Sequence, residues 1–253
     1  MVLQPDFKIK LLTTIEERKQ LFKDHGIESL IIKPFTKDFA SLSPEEYVKT
    51  VLVEELNVKH IIIGYDHRFG RRRSADIKDL KVFAKRYNFS VEEIPAQDIE
   101  DITVSSTKIR QALSLGKLET ANTYLGYNYF ITGKVIKGKG LGRTLEFPTA
   151  NLEVDKTYKL IPKQGVYVIK SSIGNSDVFG MMNIGNNPTV GGKKESIEVH
   201  FFNFDESIYG EILRIELLHR LRNEIKFNSV EDLKMQLLDD QKKALDYLNS
   251  NND

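Results

Sequence analysis

The sequence contains no cysteine, which excludes a disulfide framework, a thiolate metal site and a cysteine nucleophile. It has no long hydrophobic run either, so neither a secretory signal core nor a membrane-spanning segment is predicted. Charge of one sign is not in excess, because 37 basic and 36 acidic residues leave a net charge of +1. Nucleic acid and anionic membranes are therefore not expected partners. These absences favour a cytoplasmic protein and leave its oligomeric state open.

The first part of the chain alternates predicted strands with predicted helices. Short apolar runs at 30–32, 60–64 and 89–94 predict buried strands. Helix-start signals such as Ser43-Pro44-Glu45-Glu46 lie between them. Since this alternation is typical of right-handed crossovers, we expect an α/β module with a parallel sheet at residues 1–125.

The pattern changes after Gly126, where predicted strands follow one another without helices between them. The predicted strands are 129–137, 165–171, 178–184, 197–204 and 212–218. Five or six such strands with glycine-bearing turns predict a small closed antiparallel β-barrel at residues 126–253. A capping residue, Ser229, begins a C-terminal helix that we expect to pack on the barrel.

The stretch 138–151 contains the strongest chemical signal. Gly138, Gly140 and Gly142 alternate with other residues, and Arg143 follows them. Glycine lets the backbone approach a bulky anion closely, so this segment is a candidate phosphate loop. Thr149 and Asn151 end the stretch with oxygen donors suited to Mg²⁺. The alternative is a glycine-rich turn between two strands.

Two segments of the α/β module follow predicted strands, at the sheet edge where ligands bind. One offers Gly64, Asp66, Arg68 and Phe69, with a solvated basic loop as the alternative. The other is a serine-rich helix start that suits a phosphate. It contributes Ser105, Ser106, Thr107 and Arg110. The alternative for this segment is a plain helix cap.

Polar residues within the apolar strands of the second half are candidates for catalysis. Glu198 interrupts an apolar run, and alternation puts it on the face opposite Ile197 and Val199. A carboxylate in that place can act as a general base, although an outward surface glutamate fits the pattern equally well. Asn183 begins a segment that resembles a strand ending in a binding or turn loop, with an ordinary Asn-Pro turn as the alternative. Arg222 belongs to a segment that could be a charged connector.

Taken together, these segments resemble the bacterial bifunctional riboflavin kinase/FMN adenylyltransferase family over nearly the whole chain. The order and spacing of several motifs carry the match. They are Gly64-Tyr65-Asp66-His67-Arg68-Phe69-Gly70, Ser105-Ser106-Thr107-Lys108-Ile109-Arg110, residues 138–151, Asn183-Ile184-Gly185, Glu198 with Tyr209-Gly210, and residues 221–227. The resemblance implies a Rossmann-like nucleotidyltransferase module followed by a riboflavin kinase barrel.

The resemblance also implies roles for individual residues. Thr149 and Asn151 would bind Mg²⁺ and the ATP phosphates, and the loop 138–143 would cover the nucleotide. Glu198 would take the proton of the riboflavin 5′-hydroxyl, and Arg222 would lie near the flavin. The sequence has no Walker-type motif, which disfavours an ordinary P-loop kinase. The alternative function is a non-catalytic flavin- or nucleotide-binding protein.

The sequence departs from the family pattern in two places. The family's adenylyltransferase module opens with a Gly-x-Phe-Asp-Gly-x-His-x-Gly-His type motif that positions the ATP phosphates, and this motif is absent. We therefore expect a chain that begins inside that module, lacks its first strand and helix, and makes little or no FAD. Glu146 stands where the family usually has glycine, and an acid beside a phosphate loop is unfavourable unless it points away.

Overall fold

The computed structural model describes residues 9–96, 98–99, 102–138, 142, 145–155, 157–189 and 192–251. Within these ranges, no helix has the length and apolar character needed to cross a membrane. Two compact units are present, one built around His25–Val104 and the other from Lys10–Asp24 with the residues from Ser105 onward. The sequence predicts a boundary between the two modules at residue 125. In the structure, the compact unit that contains the barrel also includes residues 10–24 and 105–125.

The secondary-structure elements follow the predicted change from alternating helices and strands to consecutive strands. Up to residue 103 they are α1 (Ile15–Asp24), α2 (Lys37–Ser41), α3 (Pro44–Glu46, continued by a π-helix at Tyr47–Glu55), β1 (His60–Gly64), a 3₁₀ turn (Arg71–Arg73), α4 (Ile77–Tyr87), β2 (Ser90–Ile94), β3 (Asp98–Ile99) and β4 (Ile102–Thr103). Beyond it they are α5 (Ser106–Leu115), α6 (Leu118–Leu125), β5 (Phe130–Ile136), β6 (Ala150–Glu153), β7 (Gly165–Ile173), β8 (Ser176–Thr189), β9 (Gly192–Phe201), β10 (Ile212–Arg222) and α7 (Val230–Ser250).

The α/β unit contains the expected parallel pairing between β1 and β2, in register from His60 opposite Ser90 to Gly64 opposite Ile94. The prediction of a strand at 30–32 is wrong. Leu30, Ile31 and Ile32 form no strand, and they are 40%, 60% and 49% exposed. Among the residues that the structure describes, β1 pairs with β2 only, so this apolar run has no neighbouring strand to which it can hydrogen-bond.

The prediction of a small antiparallel barrel is confirmed. Six strands close in the order β10-β5-β6-β9-β8-β7, and every neighbouring pair is antiparallel. Inward-facing side chains such as Ile131, Tyr167, Ile169 and Ile215 are completely buried. Strand β6 was not predicted, because its first two residues, Ala150 and Asn151, were assigned to the glycine-rich loop.

Helix α7 covers the outer face of the barrel, as expected. Its N-cap Ser229 accepts a hydrogen bond from the Asp232 backbone N–H at 3.0 Å. Buried residues from both elements form one apolar cluster: Leu145, Phe147, Val166, Val168, Met181, Phe202, Ala244 and Leu248. On the helix, the buried positions are Asp240, Ala244 and Leu248, at helical spacing. A fully buried aspartate therefore occupies the stripe that faces the barrel.

A buried ion pair joins α1 to the barrel. The helix begins with a reciprocal cap between Thr14 and Glu17. The Lys159 ammonium donates to Glu17 Oε2 at 2.8 Å and to the Phe130 carbonyl at 2.7 Å. Burial lowers the pKa of Lys159 to about 8, although the Glu17 carboxylate opposes this shift. Both side chains are 1% exposed, so each charge offsets the desolvation cost of burying the other.

Candidate functional site

Three polar side chains form a transverse row across adjacent barrel strands. Glu198 of β9 lies directly opposite Asn151 of β6 on one side and Asn183 of β8 on the other. Side chains at directly opposite positions share a face and have Cβ atoms about 5 Å apart. Ile197 and Val199 are buried, whereas Glu198 is half-buried on the opposite face, as the alternation predicted. The barrel thus brings together three residues that the sequence analysis had selected separately.

Two cavities involve this part of the barrel, and the first has a volume of about 720 Å³. Its lining includes Gly138 and Thr149 from the predicted phosphate loop, together with Lys137, Phe204 and Tyr209. The Lys137 ammonium lies 6.0 Å from the centre of the Tyr209 ring. Since ligand pockets commonly measure about 300–1,000 Å³, this cavity is large enough for a nucleotide.

The second cavity is smaller, about 270 Å³, and lies between the barrel wall and α7. Its walls are mainly apolar, with contributions from Phe147, Met181 and Phe227. Glu198 and Asn183 add polar groups to this lining. Apolar walls with a few polar groups suit a flat ring system that carries polar edges.

Thr149 lines both cavities. Its half-buried hydroxyl therefore stands where a ligand in one cavity would meet a ligand in the other. Glu198 belongs to the second cavity, whereas the glycine-rich segment reaches the first cavity through Gly138 and the second through Gly142. This arrangement permits a group to pass from a nucleotide in the first cavity to a nucleophile held near Glu198 in the second.

The glycine-rich segment packs closely against the residues that follow it. A Cβ on Gly138 would lie 1.9 Å from the Asn151 side-chain amide, and one on Gly142 would lie 2.2 Å from the Phe147 carbonyl. Only glycine permits these approaches. The carbonyl of Gly142 also accepts hydrogen bonds from the backbone N–H groups of Leu145 and Phe147, at 3.1 and 2.9 Å.

Two predicted nucleotide-binding residues of this segment, Gly140 and Arg143, lie outside the described residues. Their assignment stays a prediction.

Glu146 does not oppose an anion in the loop, because its side chain is 80% exposed and pairs with Lys234 of α7 at 2.8 Å. The hydrogen bond from Lys234 lowers the pKa of the Glu146 carboxyl. Its backbone has φ +66°, a left-handed conformation that glycine adopts readily and other residues adopt at a cost. The departure from glycine at this position therefore affects backbone strain rather than the electrostatics of the loop.

We expect Glu146→Gly to raise the urea midpoint of unfolding above that of Glu146→Ala. Both variants lose the exposed pair with Lys234, but only glycine relieves the left-handed strain. The expected difference is roughly fivefold in the folding equilibrium constant. Equal midpoints for the two variants would show that φ at this position carries no cost.

His200, which shares the face of Glu198, acts as a packing residue. Its Nδ1 lies 2.9 Å from the Pro148 carbonyl, and its ring contacts the Phe147 ring edge-on at 5.1 Å. Burial lowers the pKa of His200, although the hydrogen bond to Pro148 opposes the shift. The imidazole is therefore neutral near pH 7.

The donor set around Thr149 fits a magnesium ion that is shared with a nucleotide. Within the described residues, no group of three His, Asp or Glu side chains is placed to hold a metal ion. Thr149 and Asn151 offer oxygen donors two residues apart, at the start of β6. Mg²⁺ takes oxygen ligands from the protein, from substrate phosphates and from water, so these two residues are candidate ligands for the ion of a bound nucleotide.

Arg222 lines the second cavity, and its guanidinium forms a bidentate pair with Asp240 of α7. Arg222 was predicted from the sequence to lie near the ligand, whereas Asp240 was not. The sequence does contain a sign of its role. Asp240 is a charged residue on the same helical stripe as Leu237 and Ala244, where the apolar spacing predicts a buried side chain.

The predicted nucleotide residues of the α/β unit lie after β1. Gly64 ends that strand, and Asp66 and Arg68 are exposed. Arg68 Nη1 lies 3.9 Å from Asp76 Oδ2, whereas Phe69 is 7% exposed and packs in the core of the unit. Their role in nucleotide binding stays a prediction.

The helix-start residues belong to the barrel unit, not to the α/β unit. Ser105 caps α5 by accepting from the Lys108 N–H at 3.3 Å, as predicted, and Thr107 is exposed. Arg110 donates to Ser106 Oγ at 3.2 Å and to the Lys10 carbonyl at 2.9 Å. A phosphate site at this helix start stays a prediction as well.

Comparison with known proteins gives consistent matches along the chain. The family model for riboflavin kinase (Flavokinase) matches residues 125–248, and that for FAD synthetase matches residues 1–108. A bifunctional riboflavin kinase/FMN adenylyltransferase of Haemophilus influenzae is 37% identical over 225 residues, which cover 88% of this chain and 72% of the relative. A relative of the same description from Listeria monocytogenes is 38% identical over 235 residues, which cover 92% and 74%.

Among solved structures, one described as a macrolide-efflux protein from Streptococcus pneumoniae has a TM-score of 0.85 and 32% sequence identity. The match covers 95% of this chain and 78% of that chain. The similarity therefore extends over both the α/β unit and the barrel unit.

Proposed function

The chain belongs to the bifunctional riboflavin kinase/FMN adenylyltransferase family, and on that premise we propose that residues 126–253 act as a riboflavin kinase. This module transfers the γ-phosphoryl group of ATP to the 5′-hydroxyl of riboflavin and produces FMN. The observation that carries the proposal is the position of Thr149 between two cavities, with Glu198 in the smaller one. A non-catalytic binding protein is not favoured, because the barrel keeps Thr149, Asn151 and Glu198 together.

The two substrates differ in size and polarity, and so do the cavities. ATP occupies the larger cavity, which Gly138 lines and where Lys137 adds positive charge. Riboflavin occupies the smaller cavity, whose apolar walls take the ring faces. The 5′-hydroxyl then lies beside Glu198, and the γ-phosphoryl group lies beside Thr149. In this pose both reacting groups are held in one place, which is the main requirement of phosphoryl transfer.

The reaction needs one proton acceptor and one metal site. Glu198 accepts the proton of the 5′-hydroxyl as its oxygen bonds to the γ-phosphorus, while the bond from that phosphorus to the β–γ bridging oxygen breaks and releases ADP. Thr149 and Asn151 would hold Mg²⁺ through their side-chain oxygens, and the bound ion would supply positive charge to the transferring phosphoryl group.

Thr149→Val tests the placement of the metal and phosphate site. Valine keeps the shape of the side chain and removes its oxygen, so we expect kcat/KM for ATP to fall by at least about tenfold. The affinity for riboflavin, measured by flavin fluorescence, should change little. If the variant depends on ATP and Mg²⁺ as the wild type does, the assignment of Thr149 is wrong. If the wild-type protein forms FMN no faster than a reaction without enzyme, the proposed function itself is wrong.

The relatives carry a second activity, FMN adenylylation, and the FAD synthetase model covers residues 1–108. We expect this 253-residue polypeptide to convert riboflavin to FMN but to form little or no FAD. The reason is the absence of the closely spaced histidines that the family resemblance assigns to the ATP phosphates. Chromatographic separation of the flavins after incubation with FMN, ATP and Mg²⁺ checks this. FAD formation at a rate comparable to the kinase step would overturn the expectation.

A further inference from the structure

We propose that Asp240 of α7 is a positioning residue for riboflavin. It fixes the guanidinium of Arg222 at the wall of the second cavity, so that Arg222 can donate hydrogen bonds to the polar pyrimidine edge of the isoalloxazine ring. The inference rests on the proposed riboflavin kinase function and assigns the orientation of the flavin within that site.

The first observation is the complete burial of Asp240. Its side chain is 1% exposed, within the stripe of α7 that packs on the barrel. Arg222 donates to it through Nε, at 2.8 Å to Oδ1, and through Nη2, at 2.7 Å to Oδ2. Gln236 adds a hydrogen bond to Oδ1 at 2.9 Å. A buried ion pair often adds no net stability to a fold. The pair between Asp240 and Arg222 is therefore better explained by the position in which it holds the guanidinium.

The second observation concerns the donors that Arg222 has left. A guanidinium has five N–H groups. The Asp240 carboxylate accepts hydrogen bonds from the Nε–H and from one N–H of Nη2. The Asn223 carbonyl accepts a hydrogen bond from one N–H of Nη1 at 2.9 Å. Within the described part of the chain, one N–H on each terminal nitrogen therefore remains for a ligand. The side chain is 17% exposed and lines the second cavity.

The third observation is the register of the barrel. Arg222 lies opposite Val166 of β7, Val166 lies opposite Asn183, and Asn183 lies opposite Glu198. Glu198 and Arg222 therefore lie three strand spacings apart, about 14 Å measured along the curved sheet, with the apolar Val166 between Asn183 and Arg222. Both residues line the second cavity.

Riboflavin has a matching polarity. Its 5′-hydroxyl lies at the end of the ribityl chain, and its ring carries carbonyl acceptors on the pyrimidine edge. With the hydroxyl at Glu198, the ring extends toward Arg222, whose remaining donors suit those carbonyls. The Phe227 ring, 6.0 Å from Arg222 Cζ, limits the movement of the guanidinium on another side.

The charge of Asp240 also explains why an arginine can serve a neutral substrate. An arginine without a buried partner would attract phosphate groups into the flavin cavity. Paired with Asp240, Arg222 keeps its directional N–H groups, while its net charge is balanced. The pair thus favours a neutral flavin over an anionic ligand.

Asp240→Asn tests this inference. Asparagine keeps the shape but removes the charge that fixes Arg222, so we expect KM and Kd for riboflavin to rise by roughly tenfold or more. The values of kcat and of KM for ATP should stay close to wild type, because Glu198 and Thr149 are unaffected. The matched control is Asp239→Asn, which removes the adjacent, exposed carboxylate that pairs with Lys243. This control should behave as wild type.

A second variant separates positioning from packing. Arg222→Met with Asp240→Leu replaces the ion pair by apolar side chains, an exchange that is often neutral or stabilising for the fold. We expect this variant to fold, but its affinity for riboflavin should be lower than that of the wild type. Wild-type riboflavin affinity in the double variant, or an unchanged KM and Kd in Asp240→Asn, would overturn the inference. Because Kd is measured by flavin fluorescence without turnover, failure of the kinase assay in the wild type is a separate result.

Discussion

Glu198→Gln is expected to lower kcat for FMN formation by about a hundredfold or more, the usual loss when a general base is removed. Glutamine has the same size and can still accept a hydrogen bond from the substrate hydroxyl, but it cannot take up the proton. The half-buried position of Glu198, opposite Asn151 and Asn183, should hold the amide in the same place. The loss should therefore fall on kcat, and the Kd for riboflavin should remain near the wild-type value.

A steady-state assay that separates FMN from riboflavin measures this effect directly. The matched control is Glu153→Gln, which removes an exposed carboxylate from the neighbouring strand β6. Full activity in the control and a large loss in Glu198→Gln assign the effect to the position rather than to the change of charge. If Glu198→Gln turns over as fast as the wild type, the proton acceptor is another group, and the assignment is wrong.

Lys159→Met is expected to destabilise the protein by about 3–5 kcal/mol, the cost of leaving a buried charge without its partner. Methionine fills the space of the lysine chain, but the Glu17 carboxylate then keeps only backbone donors, including the Thr132 N–H at 2.9 Å. The carbonyls of Leu12 and Phe130 also lose their ammonium donor. The urea midpoint of unfolding should fall accordingly.

The double variant Glu17→Gln with Lys159→Met should recover part of this loss, because no buried charge remains and the amide oxygen can still accept from Thr132. Lys163→Met, an exposed lysine nearby in the same connecting segment, serves as the control and should unfold like the wild type. A midpoint for Lys159→Met equal to that of Lys163→Met would show that the ion pair contributes nothing.

The sequence was sufficient for the elements whose signals are local. The antiparallel strands, the caps at Ser105 and Ser229, and the face of Glu198 all follow from spacing and residue type, and the structure confirms them. The run at 30–32 was predicted as a strand by the same reasoning. That prediction failed because a strand also needs a partner, which a local pattern does not reveal.

The assembly of the candidate site depends on information that lies between strands. Asn151 and Glu198 become neighbours because β6 pairs with β9, a pairing that skips two strands of the sequence order. Asp240 was overlooked because it stands beside Asp239 in a polar stretch, where only tertiary packing distinguishes the buried carboxylate from the exposed one. The register of Arg222 also follows shifts in the β10–β7 pairing.

The closed strand order has a consequence for how the protein is made. Strand β10 completes the barrel by pairing with β5 and β7, and it is the last strand to be synthesised. Until it and α7 leave the ribosome, β5 and β7 each lack a neighbour, and the flavin cavity lacks Arg222 and Asp240. Such non-local closure is slow compared with helix formation. Ligand-binding competence should therefore arise only after translation is nearly finished, and C-terminally shortened nascent chains should not retain flavin.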